Sequence, residues 1–438
     1  MRSYSIPNMK HIITTIIPIS IVLLSSSVLG AELKNELASL IKDHPRLKAE
    51  AENVIAAKAT VTEARSAYLP RLDTSASVGY ENTDRSDLVP AGEKFDLTAT
   101  NASIIATQNL FEGFRTDGAV SAAQSGIKQA EAALESTQQQ LLFEGSNAYI
   151  TVLRQVKLTE LSKRNITTLS SQFELENERV ERGSGVAVDV LQAKSRLQIA
   201  KERFTAFEGG LQEALARYTQ VFGREADIES MKTPIIPEQK IPESLEYAVE
   251  LSVEKHPTLK ATDATIDTLE HQKTVVKSNY YPSIDVVASS VYGDDASGIR
   301  GTDISNSLTV RGTWNLFSGY ADKARDKQAI AQHQSAISVG KDTNRRIVEE
   351  VKLAWANLNT SRKRADLLDN AVNIAGEVYD ARTRLRDAGK DTALNVLDAE
   401  NELFRAQIDA AAARYDYYSA IYRVLLSTGQ LTLENAND

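Results

Sequence analysis

The sequence predicts a mainly α-helical chain with a β-barrel portion, built from two copies of one unit. Each copy holds long coiled-coil helices and one β-hairpin, so four strands per chain enter a barrel shared between chains. Three observations carry this. HPRLKA (44–49) recurs as HPTLKA (256–261) and YLPRLD (68–73) as YYPSID (280–285), while NLFEGF (109–114) recurs as NLFSGY (315–320) and VLQA (190–193) as VLDA (396–399). The offset between copies shortens once, between the two strands, where a loop tolerates a change of length. A period this long is duplication of a domain-sized unit rather than a short solenoid repeat. Each copy also switches from helical periodicity to strand alternation and back. Finally, the tracts at about 116–182 and 321–388 contain no proline. Roughly 67 residues at 1.5 Å each make rods of about 100 Å, which a coiled coil or a ring of helices can bury and a globular domain cannot.

Residues 1–30 read as a secretory signal peptide. Arg2 and Lys10 precede an apolar run at 12–24, and Val28, Leu29 and Gly30 supply a cleavage site. Thr14, Thr15, Pro18 and Ser20 interrupt the run, which is short for a membrane span. The formal net charge of −9 becomes two units more negative once Arg2 and Lys10 leave with the signal. No strongly basic face is then available for nucleic acid. The chain has no cysteine, which excludes disulfides, thiolate metal sites, cysteine nucleophiles and a lipid-bearing N-terminal cysteine. After the signal no apolar stretch is long enough for a transmembrane helix, but an exported chain can still cross a membrane as barrel strands.

The first repeat spans 31–222. A short amphipathic helix (33–43) ends at His44-Pro45, and a second helix ends near Pro70, because proline cannot continue the helical ladder. A hairpin follows at about 69–111, with Leu72, Thr74, Ala76, Val78 and Tyr80 on one face of its first strand and Ile104, Ala106, Gln108 and Leu110 on one face of its second. The long helix at about 116–182 breaks at Gly183, and a helix returns at about 187–222. Residues 223–242, with Pro234, Pro237 and Pro242, form a linker between the copies. The second repeat spans 243–430, with His256-Pro257, a hairpin at about 282–317, a long helix at about 321–388, a break at Gly389 and a returning helix at about 392–428. Its strands place Ile284, Val286, Ala288, Ser290 and Tyr292 on one face, then Leu308, Val310, Gly312, Trp314 and Leu316. Residues 431–438 form a tail. Each returning helix carries two heptad seams, one of them mostly alanine, which calls for close neighbours on two sides.

Four strands cannot close a membrane barrel, and an open edge in lipid leaves backbone groups unpaired. The chain must share its barrel with copies of itself. Three copies give 12 strands, although strand counting excludes a monomer without choosing three over two or four.

These features resemble the TolC family of outer-membrane channels over essentially the whole mature chain. The resemblance is carried by the duplicated helix–hairpin–helix order, the aromatic-glycine step after each hairpin, and a repeated tip motif. That motif stands as Gly183 with Asp189-Val190-Leu191-Gln192-Ala193 and as Gly389 with Asn395-Val396-Leu397-Asp398-Ala399. It implies a homotrimer in the outer membrane, with a 12-stranded barrel, a long periplasmic helical tunnel and an equatorial belt built from the linker 223–242, the short helices and the C-terminal tail. The partners implied are a periplasmic adaptor (membrane fusion) protein, an inner-membrane ABC transporter or other pump, and outer-membrane lipid. The stretch LDAENELFRAQ (397–407) is most similar to the type I secretion branch, which exports proteases, toxins and adhesins. Small-molecule efflux of drugs, detergents or metals is the alternative.

The same resemblance places a periplasmic gate at the helix tips. Asp398 matches an acidic constriction position, and Asn395 stands where the family has a second acid, which implies a weaker cation preference. Asp189 matches a residue that holds the closed state, with Arg386 aligned where the family has its tyrosine partner. An Asp189–Arg386 ion pair is therefore expected to latch the tip, against the plainer reading that Asp189 caps its helix. Arg182, Gly183, Gly389 and Lys390 form an expected adaptor contact, although basic residues there also complement helix dipoles. Phe111, Trp314 and Phe317 are expected membrane-interface anchors. No catalytic residue, metal or cofactor is expected. Gly183-Ser184-Gly185 follows a helix, unlike a nucleophile elbow or phosphate loop, and His44 and His256 lack ligand-spaced partners. A soluble coiled-coil adaptor would share the helices but not four strands of lipid-spanning length.

Overall fold

The computed structural model describes residues 32–83, 95–298 and 300–436; the expected signal peptide lies outside them. The chain order is α1 (Leu33–Asp43), α2 (Pro45–Ser66), β1 (Arg71–Thr83), β2 (Phe95–Phe111), α3 (Arg115–Glu181) and α4 (Ala187–Phe222). The second copy follows as α5 (Leu245–Lys255), α6 (Pro257–Lys277), β3 (Ser283–Asp294), β4 (Thr302–Thr313), α7 (Ala321–Asp387) and α8 (Ala393–Ser427). Both long helices, α3 and α7, contain 67 residues.

The repeated His-Pro steps are helix starts built the same way twice. Pro45 and Pro257 occupy the first turn, where a missing N–H costs nothing. The preceding histidine caps the helix: His44 Nδ1 accepts from the Arg46 N–H at 3.1 Å, and His256 Nδ1 accepts from the Thr258 N–H at 3.2 Å. The aromatic-glycine steps are strand-to-helix corners. Gly113 and Phe114 have φ of 64° and 67°, and Gly319 and Tyr320 have 62° and 65°, so two successive left-handed residues redirect the chain. A Cβ at Gly113 would come 2.7 Å from the Tyr281 Cβ and 2.8 Å from the Ser278 carbonyl oxygen, so only glycine fits.

The four strands form one antiparallel sheet in the order β1-β2-β3-β4. The copies join through β2 and β3, where Ala106 lies opposite Ala288 and Ile104 opposite Ser290. One face carries Leu72, Val78, Ile104, Val286, Leu308 and Val310 in register; the other pairs Ser75 with Ser103 and Ser289 with Ser307 through their hydroxyls, at 2.9 and 2.8 Å. An apolar and a polar face are what lipid and lumen respectively demand. One phase differs from simple alternation. A bulge at Leu110 puts Phe111, rather than Leu110, opposite Ile284, since an extra residue shifts every later side chain to the other face. Trp314 and Leu316, expected in phase with the last strand, lie beyond its end at Thr313.

The helices continue the strand order. Near the sheet, α3 lies between α2 and α6, with α7 beyond α6. At the other end α3 lies between α4 and α8, with α7 beyond α8. The short helices stack on the returning ones. Glu144 of α3 binds Arg46 at the start of α2 and lies 3.8 Å from Arg217 near the end of α4. A Cβ on Gly429, just after α8, would touch the His256 Cα before α6 at 2.9 Å. The chain is thus a wall four elements wide along its length, with α2, α4 and β1 on one edge and α7 and β4 on the other.

The main hydrophobic core sits where these stacked ends meet. Leu37, Leu142, Tyr149, Tyr218, Ile421 and Leu425 are buried there. The Tyr149 hydroxyl donates to the Lys232 carbonyl at 2.8 Å and accepts from the Lys232 N–H at 3.0 Å, which fastens the linker to α3. The Tyr218 hydroxyl donates to Glu36, which also binds Arg224. Tyr422 holds the tail by donating to the Ala436 carbonyl at 3.2 Å.

The histidine caps set a pH dependence. Desolvation is the first cause lowering both imidazoles below the ordinary 6.5, and the nearby Arg46 and Lys260 push the same way. Each cap uses the neutral ring as acceptor. Its stability contribution is therefore complete above about pH 6.5 and is lost as pH falls through the lowered folded value. Thermal unfolding in detergent should show a midpoint that drops between pH 7.5 and 5. Part of that drop should vanish in the His44→Asn, His256→Asn double variant, whose amide oxygens cap at either pH.

Candidate channel gate at the helix tips

Both tips are helix–turn–helix reversals closed by a left-handed glycine. Gly183 has φ of 78° and Gly389 of 70°. The Ser184 N–H reaches the Arg179 carbonyl at 2.9 Å and the Lys390 N–H reaches the Leu385 carbonyl at 2.8 Å, the pattern that satisfies the last carbonyls of a helix. Arg182, Gly183, Gly389 and Lys390 are all exposed on these turns, and Arg182 pairs with Glu178 one turn earlier at 3.2 Å.

Within one chain Asp189 and Arg386 do not meet. Arg386 is only 8% exposed and pairs with Glu176 of α3, which is 4% exposed. Within the chain α3 and α8 stand between α4, which carries Asp189, and α7, which carries Arg386, so the expected latch is a contact between neighbouring copies or none. Desolvation holds the Arg386 guanidinium below its ordinary pKa, the mark of a charge with little water around it. Asp189 is half-buried in the first turn of α4, where a carboxylate favours the helix dipole. It does not cap the helix; Val186 occupies that position without a side-chain cap bond.

Asn395 and Asp398 are also engaged. The Asn395 amide donates to Asp391, which accepts the Thr392 N–H at 2.8 Å and pairs with Arg382 at 3.0 Å. Those hydrogen bonds, with Asn395 first, hold the Asp391 carboxyl below its ordinary range. Asp398 pairs with Arg196 of α4, whose other nitrogen donates to the Leu397 carbonyl at 2.8 Å. Asp398 therefore joins α4 to α8 in one chain while its side chain stays 60% exposed.

Three participants escaped the sequence reading: Glu176, Arg196 and Glu400. Glu400 lies on the buried face of α8 with Val396, Leu397 and Phe404, and Glu176 continues the face of Ile166, Leu169 and Phe173 on α3. The signal was available, since a carboxylate at helical spacing within an apolar stripe cannot be a solvated surface charge.

At the opposite end of the tunnel an aromatic collar marks the junction of helices and sheet. Trp314 and Phe317 are 58% and 72% exposed, and the Trp314 ring N–H donates to the Tyr280 carbonyl at 3.2 Å. Phe111 is less exposed and packs edge-on against Phe114 at 5.6 Å. Exposed Tyr68, Tyr281 and Tyr320 extend the collar. Aromatic side chains with polar tips belong at a membrane interface.

A wall with an amphipathic sheet at one end and long helices at the other is the protomer of an outer-membrane channel with a helical extension. The sequence profile of the outer membrane efflux protein family matches residues 37–224 and 248–430, and the chain belongs to that family, the TolC-like channels. It is 25% identical to the outer membrane efflux protein BepC of Brucella suis over 94% of this chain and 88% of that one. It is 22% identical to the alkaline protease secretion protein AprF of Pseudomonas aeruginosa, over 97% and 89%. Among solved structures, the outer membrane protein VceC of Vibrio cholerae superposes with a TM-score of 0.77 at 17% identity, over 91% of this chain and 96% of that one. The protein is a channel of the outer membrane, with its helical barrel extending into the periplasm.

The buried Glu176–Arg386 pair predicts an asymmetric mutational response. Glu176→Ala strands a desolvated guanidinium and should cost about 3–5 kcal/mol. Arg386→Ala should cost less, because Arg179 lies 3.6 Å from Glu176. Glu176→Leu with Arg386→Met should recover most of the loss. Thermal unfolding, with proteolysis at 183–185 and 389–391, reads all three.

Proposed function

We propose that this channel is the outer-membrane exit duct of a type I secretion system, passing unfolded proteins from an inner-membrane ABC transporter and a periplasmic adaptor to the exterior. The observation that carries the duct is the wall with two unpartnered edges. Among the described residues β1 and β4 pair on one side only, and α7 leaves Leu353, Leu367 and Ile374 at heptad spacing 64%, 70% and 55% exposed in a single chain. On the other edge, α4 exposes Leu191 and Ile199. Exposed apolar seams of this kind call for a protein neighbour. Closure of three copies, β1 on β4 and α4 on α7, makes a 12-stranded barrel above a tunnel of helices. The exposed tips at 182–183 and 389–390 are the surface offered to the adaptor, and Asp398 with the seam behind it forms the constriction. The aromatic collar anchors the barrel at the periplasmic interface.

The secretion branch is favoured by the stretch at 397–407, by the absence of a lipid-accepting cysteine and by a relative named for alkaline protease secretion. Small-molecule efflux is the second reading, favoured by a relative named as an efflux protein.

Two measurements test these statements. Light scattering in detergent should give a protein mass of three chains, and any other stoichiometry ends the 12-stranded arrangement. A deletion strain should lose one or a few large exported proteins while its tolerance of detergents, dyes and antibiotics is unchanged. An intact set of exported proteins with sharply increased drug sensitivity would replace secretion by efflux.

A further inference from the structure

Glu400 is a buried acid with no role in the fold described so far. It is 5% exposed on α8, at the seam where α8 meets α3. This seam joins the hairpin α3–α4 of the first copy to the hairpin α7–α8 of the second. One carboxylate oxygen accepts from the Asn165 amide of α3 at a long 3.4 Å, and the other is buried with no hydrogen-bond partner. The charged and titratable groups around it do not neutralise it. Arg196 on α4 is committed to Asp398 and to the Leu397 carbonyl. Tyr379 on α7 is a neutral phenol that burial and Glu400 itself hold protonated. Arg386 on α7, further toward the tip, is matched by Glu176 on α3, and Asp398 on α8 is itself an acid.

We infer that the proton on Glu400 controls how tightly the two helical hairpins close on each other at the periplasmic end of the channel. With the proton in place the side chain is an uncharged acid that a dry seam tolerates. Without it, the seam encloses a carboxylate held by one weak hydrogen bond, and separating α3 from α8 lets water reach it. A buried unpaired charge is among the costliest groups in a protein interior, so ionisation shifts the seam toward the separated state. Burial pushes the Glu400 carboxyl up to about 7 with the seam closed, and Arg196 opposes that only in part. In the separated state the group returns toward its ordinary 4.5. The closed seam therefore binds the proton more tightly. Its stability is complete below about pH 4.5, falls as pH rises to about 7, and is level above. Over that window the opening equilibrium rises by up to about tenfold per pH unit. A duct spanning the periplasm would then stay tight under acid conditions and be readier to open near neutrality.

The chain has no cysteine, so a single introduced thiol reports on the seam. Leu169 of α3 is 6% exposed beside Leu397. The Leu169→Cys protein, as assembled oligomer in nanodiscs, is labelled with dithiodipyridine from pH 5 to pH 8, with and without Glu400→Gln. Comparison of the two backgrounds at the same pH removes the thiol's own titration. At pH 7.5 labelling should be several-fold faster with Glu400 in place than in the Glu400→Gln background, whose amide stays neutral. At pH 5 the two rates should converge. Equal rates at every pH overturn the inference. Asn165→Leu gives an independent check. Loss of the amide that favours the ionised form should move the labelling transition to higher pH, and an unmoved transition overturns the inference as well. The functional consequence rests on the channel reading, and bilayer conductance of the same proteins separates the two. A labelling difference with no conductance at any pH rejects the channel, whereas conductance without a labelling difference rejects the switch.

Discussion

Every second backbone N–H and C=O along β1 and β4 points away from the sheet, and no strand among the described residues receives it. In lipid each such group costs several kcal/mol. A four-stranded sheet therefore cannot stand alone in a membrane, and the rest of the molecule follows the same constraint. The helices keep the order of the strands, so the open edges of the sheet run on into open edges of the helical wall. Two helices of 67 residues hold the register over the full length. The remaining two columns are stacks of shorter helices, α2 on α4 and α6 on α8.

That construction explains where the dry core sits. Barrel and tunnel are hollow, so a single chain encloses little apolar volume over most of its length. The largest cluster forms where the stacked helix ends, the linker and the tail converge around Tyr149, Tyr218 and Tyr422. All three are large side chains whose hydroxyls find partners: Lys232, Glu36 and Ala436. Burial raises the Tyr218 and Tyr422 hydroxyls above the ordinary phenol range, so they remain protonated donors. Gly145 lets α1 approach α3 there; a Cβ would lie 2.6 Å from Leu40.

Toward the tips the balance reverses. The seam between the two hairpins carries Arg154 with Asp416 at 2.9 Å, Asn165 with Glu400, Arg196 with Asp398, and Glu176 with Arg386. An apolar seam of the same length would close more firmly, since buried ion pairs stabilise less than good hydrophobic packing. Polar contacts have alternatives in water and with neighbouring groups. A polar seam is easier to separate than an apolar one, which agrees with the gate proposed at this end of the molecule.

The duplication, the hairpins, the long helices and the family were legible in the sequence, because periodicity, proline and glycine placement and repeated motifs are local properties of the chain. The repeated His-Pro and aromatic-glycine steps were legible as boundaries, and the structure adds that the histidines are caps and the aromatics left-handed corners. Local pattern did not decide the phase after Leu110, where one bulged residue moves Phe111 to the other face. Nor did it decide the ion pairs at the tip. The resemblance implied a pair of Asp189 with Arg386, but pairing depends on which helices are neighbours, and within one chain α3 and α8 lie between them. Glu176 and Glu400 were not picked out in the sequence, where an acid within an apolar stripe carries no sign of its partner. Who meets whom across a wall of long helices is fixed by lateral order, axial register and the face each helix turns inward. Those are properties of the assembled chain, and they emerge only when distant segments pack side by side.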